Sequence, residues 1–96
     1  MPTYEVLARF VRDYRSLTPE QRAQFRKALD KFIADLRAGA FRPGVRVKGI
    51  QAAEGIFEMT WAKDGRATFH FGDSIRPGQP HVVWRRIGTH TILREP

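Results

Sequence analysis

The sequence predicts an α+β fold, in which an N-terminal helical hairpin packs on one face of a mainly antiparallel sheet of about four strands. Three observations lead to this prediction. Apolar residues recur at helical spacing through residue 38. After residue 56 they alternate with polar residues, as half-buried strands require. Turns containing glycine or proline separate the alternating segments, so we expect neighbouring strands to run antiparallel.

The clearest element is a helix predicted over residues 19–38. Thr18 is a preferred N-cap residue, Pro19 suits the first helical position, and Gln21 stands where a capping box requires it. Behind them lies one apolar stripe, formed by Phe25, Ala28, Leu29, Phe32, Ile33 and Leu36. Gly39 is typical of the residue that ends a helix.

The segment before this helix is less sharply defined. An earlier helix is predicted from the spacing of Leu7, Phe10, Val11, Tyr14 and Leu17, with a tight turn between the two helices. Residues 4–7 fit a short strand that leads into this helix equally well. Both alternatives stay open at this point.

The second half of the chain has the period of strands. The segments predicted as strands are residues 45–48, 57–61, 66–71 and 81–87. Lys63-Asp64-Gly65 is typical of a hairpin turn, and residues 72–80, with two glycines and two prolines, are expected to form a loop.

Composition excludes several classes of protein. The 96 residues allow one domain, expected over residues 1–96. The absence of cysteine excludes a disulfide scaffold, a thiolate zinc site and a cysteine nucleophile. The sequence contains no apolar run long enough to span a bilayer and no secretory signal, so we expect a cytoplasmic protein without membrane contact. The net charge of +7 favours a polyanion or an acidic protein as partner.

The face of the sheet opposite the helices is predicted to be polar. If the aromatic residues of the strands face the core, alternation places Glu58, Thr60, Arg66, Thr68 and His70 on the other face. Arg46 and Lys48 share one face of their own strand, whereas Arg85 and Arg86 should point to opposite sides. Such a face is either an ordinary solvated surface or a set of cations that converge on phosphates.

The order of these motifs resembles the RelE/ParE superfamily of bacterial toxins over roughly residues 5–92. The resemblance rests on a helical hairpin, the strand Arg46-Val47-Lys48-Gly49, the hairpin that ends in Gly65-Arg66, and the late strand that runs into Ile87-Gly88-Thr89-His90. The segment from Trp61 to His90 also resembles small actinobacterial members of the superfamily.

The resemblance implies a toxin of a type II toxin–antitoxin system. RelE-like members are endoribonucleases that cut mRNA at the ribosome, and ParE-like members poison DNA gyrase without catalysis. Both kinds bind an antitoxin, which we expect to be acidic. A toxin-fold protein that only binds its antitoxin is a further alternative. No cofactor is implied.

Site residues follow from the resemblance and from chemistry. The resemblance implies that Arg46 and Lys48 bind RNA, that Arg66 contacts the scissile phosphate and that His90 is the late imidazole group. His90 suits proton transfer because imidazole titrates near neutral pH. Either Arg85 or Arg86 joins the phosphate-binding set, with Arg86 preferred.

Two further groups have alternative roles. Glu58 is a candidate base or a structural partner of Arg66 or Arg85, and His70 is a candidate assistant or a plain surface residue. The scattered histidines predict no metal site. No tyrosine follows Tyr14, whereas RelE carries a functional tyrosine near its C-terminus.

Overall fold

The computed structural model describes residues 2–51 and 53–96; Met1 and Ala52, which fall within the expected domain, lie outside the described residues. Within these ranges, helices α1 (Ala8–Arg15) and α2 (Pro19–Ala38) pack on one sheet face. The strands are β1 (Thr3–Val6), β2 (Lys48–Ile50), β3 (Ala53–Thr60), β4 (Gly65–Gly72) and β5 (His81–Thr89). They lie in the order β1-β5-β4-β3-β2, and only β1 and β5 are parallel. The predicted fold class is confirmed.

The long helix has the predicted bounds because its end signals are local. The Thr18 hydroxyl accepts a hydrogen bond from the Gln21 amide at 3.2 Å, and the Gln21 side chain accepts one from the Thr18 amide at 2.8 Å. This capping box satisfies amide groups that have no partner inside the helix. Gly39 ends the helix in the left-handed region, with φ at +85°.

The N-terminal segment resolves the alternative left open by the sequence. Residues Thr3–Val6 form β1, which makes a fifth strand where about four were expected. His81 of β5 binds both neighbours on this strand, because its Nδ1 lies 2.7 Å from the Thr3 hydroxyl and its Nε2 lies 2.9 Å from Glu5. The predicted first helix follows directly as α1.

The core between helices and sheet is built from aromatic rings. The ring of Phe32 on α2 lies 5.1 Å from that of Phe69 on β4 and 5.2 Å from that of Trp84 on β5. The ring centroids of Phe10 and Phe25, one from each helix, lie 6.0 and 5.8 Å from that of Trp84. Burial of each ring contributes about 1.5–3 kcal/mol. The apolar faces predicted for the helices and for β3 and β4 are therefore the faces that pack.

The strand predicted over residues 45–48 is wrong in its first half. Pro43–Val45 form a short 3-10 helix, and β2 begins only at Lys48. Proline fixes the backbone angle that starts such a turn, and Val45 is turned inward and buried. Arg46 then takes the left-handed conformation, with φ at +52°, so it does not share a strand face with Lys48.

The simple alternation expected at Arg85 and Arg86 is interrupted by a change of register. Thr68 of β4 pairs with Arg86, but its neighbour Phe69 pairs with Trp84. Arg85 is therefore an extra residue in β5, a β-bulge. The bulge lets both arginines lie off the core while Trp84 and Ile87 are buried in it.

Candidate functional site

The sheet face away from the helices carries the polar side chains predicted for it. Across β3 and β4, Glu58 pairs with Thr68 and Thr60 pairs with Arg66, so these side chains share one face. Met59 and Ala67, which alternate with them, are fully buried on the helix side. This sheet face therefore carries the polar side chains of β3 and β4.

Two acid–base groups meet at the end of this face. Gly65 pairs with Thr89 in the antiparallel β4–β5 ladder. Asp64, directly before Gly65, therefore lies opposite His90, directly after Thr89. The Nδ1 atom of His90 lies 2.5 Å from Oδ1 of Asp64, and the two side chains are 65% and 57% exposed. An ionised carboxylate only accepts hydrogen bonds, so Nδ1 carries a proton, and in the neutral imidazole Nε2 is the acceptor.

Asp64 is the site residue that sequence reasoning missed. It was interpreted as part of a turn, a role that needs no ligand. Its partner is 26 residues away, and only the strand register brings the two together. The hydrogen bond with His90 holds the pKa of Asp64 below its usual value, and the charge of Arg66 adds to this effect.

Arg66 lies close enough to this pair for its charge to act on Asp64. Its Nη1 donates to the main-chain oxygen of Gly65 at 3.0 Å and to that of Lys63 at 3.4 Å. Within the described residues its hydrogen bonds all use Nη1, so the other donors of the guanidinium can meet a phosphate. The turn therefore orients Arg66 without neutralising it.

The turn that carries Asp64 and Arg66 is fixed by a tight contact with Trp61. A Cβ atom added at Gly65 would lie 2.6 Å from the indole ring, so only glycine fits there. The main chain of Trp61 also donates to the Gly65 oxygen at 3.1 Å. Because the ring is buried, it cannot move aside without disturbing the core.

Lys48 and Glu58 form an ion pair on the same face. The two residues are cross-strand partners, and Lys48 Nζ lies 3.4 Å from a Glu58 carboxylate oxygen. The Glu58 side chain is only 6% exposed, whereas that of Lys48 is 71% exposed. The structural partner of Glu58 is thus Lys48, not Arg66 or Arg85, and the arrangement presents the ammonium group rather than the carboxylate. Arg46 is exposed in the turn before β2.

Arg86 is held by a carboxylate of α1. Its Nε and Nη2 donate to the two oxygens of Asp13 at 2.9 and 3.0 Å, and the amide of Ile87 donates to Asp13 at 3.2 Å. Burial alone would raise the pKa of Asp13, but these hydrogen bonds outweigh it and the pKa lies below its usual value. The pair neutralises Arg86, which was the preferred phosphate-binding arginine.

The C-terminal segment lies across the middle of the polar face. Residues His90–Arg94 form a short 3-10 helix whose Ile92 is buried, close to Gly88. Beyond it, a main-chain oxygen of Pro96 accepts hydrogen bonds from Thr68 and Arg85. This segment explains why Thr68 is fully buried on a face that would otherwise be open.

A second concave surface, largely apolar, lies between the helices and β1. It has a volume of about 440 Å³ and is lined by both helices together with Tyr4, Val6 and Trp84. Tyr4 and Val6 are 72% and 40% exposed, so β1 adds exposed apolar surface to this lining. Arg26 of α2 adds a basic group to the lining.

The described part of the chain has neither a cluster of metal ligands nor a helix that could span a membrane. Among residues 2–51 and 53–96, no three His, Asp or Glu side chains are grouped as metal ligands. No helix in the same ranges combines the length and the apolar character needed to cross a bilayer.

Comparison with known proteins finds a similarity in fold only. No family model matches the sequence, and no curated protein matches it. The fold is similar to the Escherichia coli DinJ–YafQ toxin–antitoxin complex, with a TM-score of 0.67 and 15% identity over 96% of each chain. It is also similar to a metal-bound toxin from Helicobacter pylori, with a TM-score of 0.64 and 16% identity over 95% of this chain and 97% of the other. The fold is similar as well to the E. coli RelBE toxin–antitoxin complex, with a TM-score of 0.61 and 12% identity over 93% of this chain and 96% of the other.

Proposed function

We propose that this chain, which has the fold of the RelE- and YafQ-type toxins, is the toxin of a type II toxin–antitoxin pair and a metal-independent endoribonuclease that cuts mRNA at the ribosome. The observation that carries the proposal is the Asp64–His90 pair beside Arg66. It supplies an oriented base next to an unneutralised guanidinium, on a face that also presents Lys48.

The chemistry of RNA cleavage fits these groups. Nε2 of His90 takes the proton of a 2′-hydroxyl while Asp64 holds the imidazole through Nδ1. The 2′-oxygen attacks the adjacent phosphorus, the bond to the 5′-oxygen breaks, and water protonates the leaving oxygen. The products are a 2′,3′-cyclic phosphate and a 5′-hydroxyl. Arg66 stabilises the extra charge on the phosphorane oxygens, a role suited to its fork of donors.

The remaining cations would bind the RNA backbone. Lys48, held in place by the buried Glu58, and the exposed Arg46 lie on the side of β2. We therefore assign Glu58 to positioning Lys48 rather than to proton transfer. Each phosphate contact of this kind contributes to binding that weakens as salt increases.

The experiment is primer extension on translated mRNA after induction in a bacterial host. The wild-type chain should produce new 5′ ends, and an Arg66→Ala/His90→Ala double variant should produce none, while both chains melt at similar temperatures. Lys27→Ala, an exposed lysine of α2, is the matched control and should cut like wild type. Full toxicity of the double variant would exclude the catalytic assignment.

The alternatives give other outcomes in the same experiment. A gyrase inhibitor should cause broken DNA and leave mRNA intact. A toxin-fold protein without activity should do neither and still bind its antitoxin.

The partner we propose is an acidic antitoxin. Two of the similar structures are toxin–antitoxin complexes, and the net charge of +7 favours an acidic partner. The apolar surface between the helices and β1, with Arg26 in its lining, would receive an apolar segment of that antitoxin. Co-purification with the antitoxin should be lost in a Val6→Glu variant and kept in the Lys27→Ala control; retention in Val6→Glu would exclude this surface.

A further inference from the structure

Arg85 lies in the middle of the polar face without an Asp or Glu partner. Within the described residues no Asp or Glu side chain lies within ion-pair distance of it, and its Nε instead donates to an oxygen of Pro96, the last residue of the sequence. Its neighbour Arg86 differs in this respect, because Asp13 pairs with it and neutralises its charge. A partly buried guanidinium that meets no Asp or Glu side chain can bind an anion from outside the chain.

The groups around Arg85 are arranged to donate hydrogen bonds. Nη1 of Arg85 lies 3.0 Å from Nδ1 of His70. Arginine only donates, so His70 accepts at Nδ1 and carries its proton on Nε2, where it can donate in turn. Burial lowers the pKa of His70, and the charge of Arg85 lowers it further, so the imidazole is neutral at pH 7.

An oxygen of Pro96 already occupies the point where the donors of Arg85 and Thr68 converge. The Pro96 oxygen accepts from Nε of Arg85 at 3.1 Å and from the hydroxyl of Thr68 at 3.4 Å. Two donors on one oxygen, one of them charged, is the arrangement that a phosphate oxygen takes in a binding site. The Pro96 oxygen therefore stands in for a ligand atom.

The segment that brings this oxygen into place is weakly held at its end. Residue 92 is anchored because its side chain is buried. Glu95 is held by its amide, which donates to the Ile92 oxygen at 3.1 Å, by a hydrogen bond from Arg9 to its main-chain oxygen at 2.7 Å, and by an exposed ion pair with Arg9 at 3.9 Å. Exposed contacts of this kind are weak, so residues 95–96 can leave while Ile92 stays, with the loss of the two hydrogen bonds that the Pro96 oxygen accepts.

We propose that Arg85, Thr68 and His70 form a phosphate subsite for a nucleic-acid strand, which the Pro96 oxygen fills in this structure and which opens when residues 95–96 move away. The inference rests on the proposed function, because Thr68 lies two residues along β4 from Arg66. That separation is about 7 Å, so a strand whose scissile phosphate meets Arg66 extends toward this subsite.

The test measures binding rather than cleavage. The probe is a short single-stranded DNA oligonucleotide, which lacks the 2′-hydroxyl and cannot be cut, followed by fluorescence anisotropy at fixed salt. A chain that ends at Arg94 should bind about tenfold more tightly than the full chain, since one charged and one neutral hydrogen bond become available. Its affinity should also fall more steeply with salt, by about one unit of slope.

Arg85 decides whether the gain comes from this subsite. Arg85→Ala should change the affinity of the full chain by less than about twofold and should abolish the gain in the shortened chain. Arg85→Lys, which keeps the charge but not the Nε donor, should restore part of the gain in affinity. This variant also keeps the test valid if Arg85→Ala does not fold. Glu95→Gln is the control for lost negative charge and should give a smaller gain that does not depend on Arg85.

Two results would overturn the proposal. The chain that ends at Arg94 could bind the oligonucleotide no more tightly than the full chain, or the gain in affinity could persist when Arg85 is replaced by alanine. Both are independent of the cleavage experiment. If Arg66→Ala/His90→Ala stays toxic while the Arg85-dependent gain is present, the nuclease assignment fails and the phosphate subsite stands. If cleavage behaves as expected and the gain is absent, the subsite alone fails.

Discussion

Replacement of Asp13 by alanine should destabilise the fold strongly. The carboxylate accepts three hydrogen bonds, two from Arg86 and one from the Ile87 amide, and the side chains of Asp13 and Arg86 are only 15% and 23% exposed. Removing it leaves a charged group and a main-chain amide without partners in a partly buried place. Losses of this kind cost about 3 kcal/mol, a large part of the 5–15 kcal/mol that stabilises a typical domain.

Thermal unfolding followed by circular dichroism measures this effect. A loss of about 3 kcal/mol lowers the Tm of a chain of this size by about 12–24 °C. Asp30→Ala, at an exposed carboxylate of α2, is the matched control and should change the Tm by less than about 4 °C.

A double-mutant cycle shows whether the pair acts as a unit. Arg86→Ala should cost about 2 kcal/mol, and the Asp13→Ala/Arg86→Ala double variant should be little worse than Asp13→Ala alone, giving a coupling of about 2 kcal/mol. Additive costs, or a Tm that Asp13→Ala lowers by less than about 4 °C, would refute a structural role for the pair and return Arg86 to the phosphate-binding candidates.

Two further predictions concern acid stability and the hairpin turn. The pKa of Asp13 is lower in the folded chain than its unfolded value near 3.9, so its contribution is present above about pH 4 and is lost as pH falls through the folded pKa. Urea unfolding between pH 7 and pH 3 should therefore show a smaller loss of stability for Asp13→Ala than for wild type, and equal losses would contradict the assignment. Gly65→Ala should cost about 1–3 kcal/mol because the added methyl group meets the buried Trp61 ring. It should also reduce mRNA cleavage by displacing Asp64 and Arg66, whereas Gly44→Ala, where a Cβ meets nothing within 4 Å, is the control.

The elements that sequence predicts best are those with local signals. The long helix has the predicted bounds because Thr18, Gln21 and Gly39 each act within one turn of a helix end. The sequence also predicts which residues of β3 and β4 face the core, because alternation within a strand does not depend on the partner strand.

The elements that sequence predicts poorly depend on pairing at long range. The bulge at Arg85 arises from the register of β5 against β4, and alternation within β5 gives no sign of it. The pairing of β1 with β5 depends on residues 78 positions apart, so the local pattern could not decide between strand and helix.

The site divides in the same way. His90 and Arg66 could be proposed from their motifs, and both lie at the end of the polar face. Asp64 could not, because its role is created when the end of β5 meets the hairpin. The difference between Arg85 and Arg86 arises from Asp13, a helix residue that pairs with Arg86 and that no motif on the sheet indicates.

The parallel pairing of β1 also has a consequence for the order in which the chain folds. Strands β3, β4 and β5 follow one another and can pair through short connections, whereas β1 reaches β5 only after most of the chain is in place. Because contacts between distant residues form only after a large loss of chain entropy, we expect the meander to form first and β1 to dock last. The same strand should open first from the native state, so the amides of β1 should exchange with solvent hydrogen faster than those at the centre of the sheet.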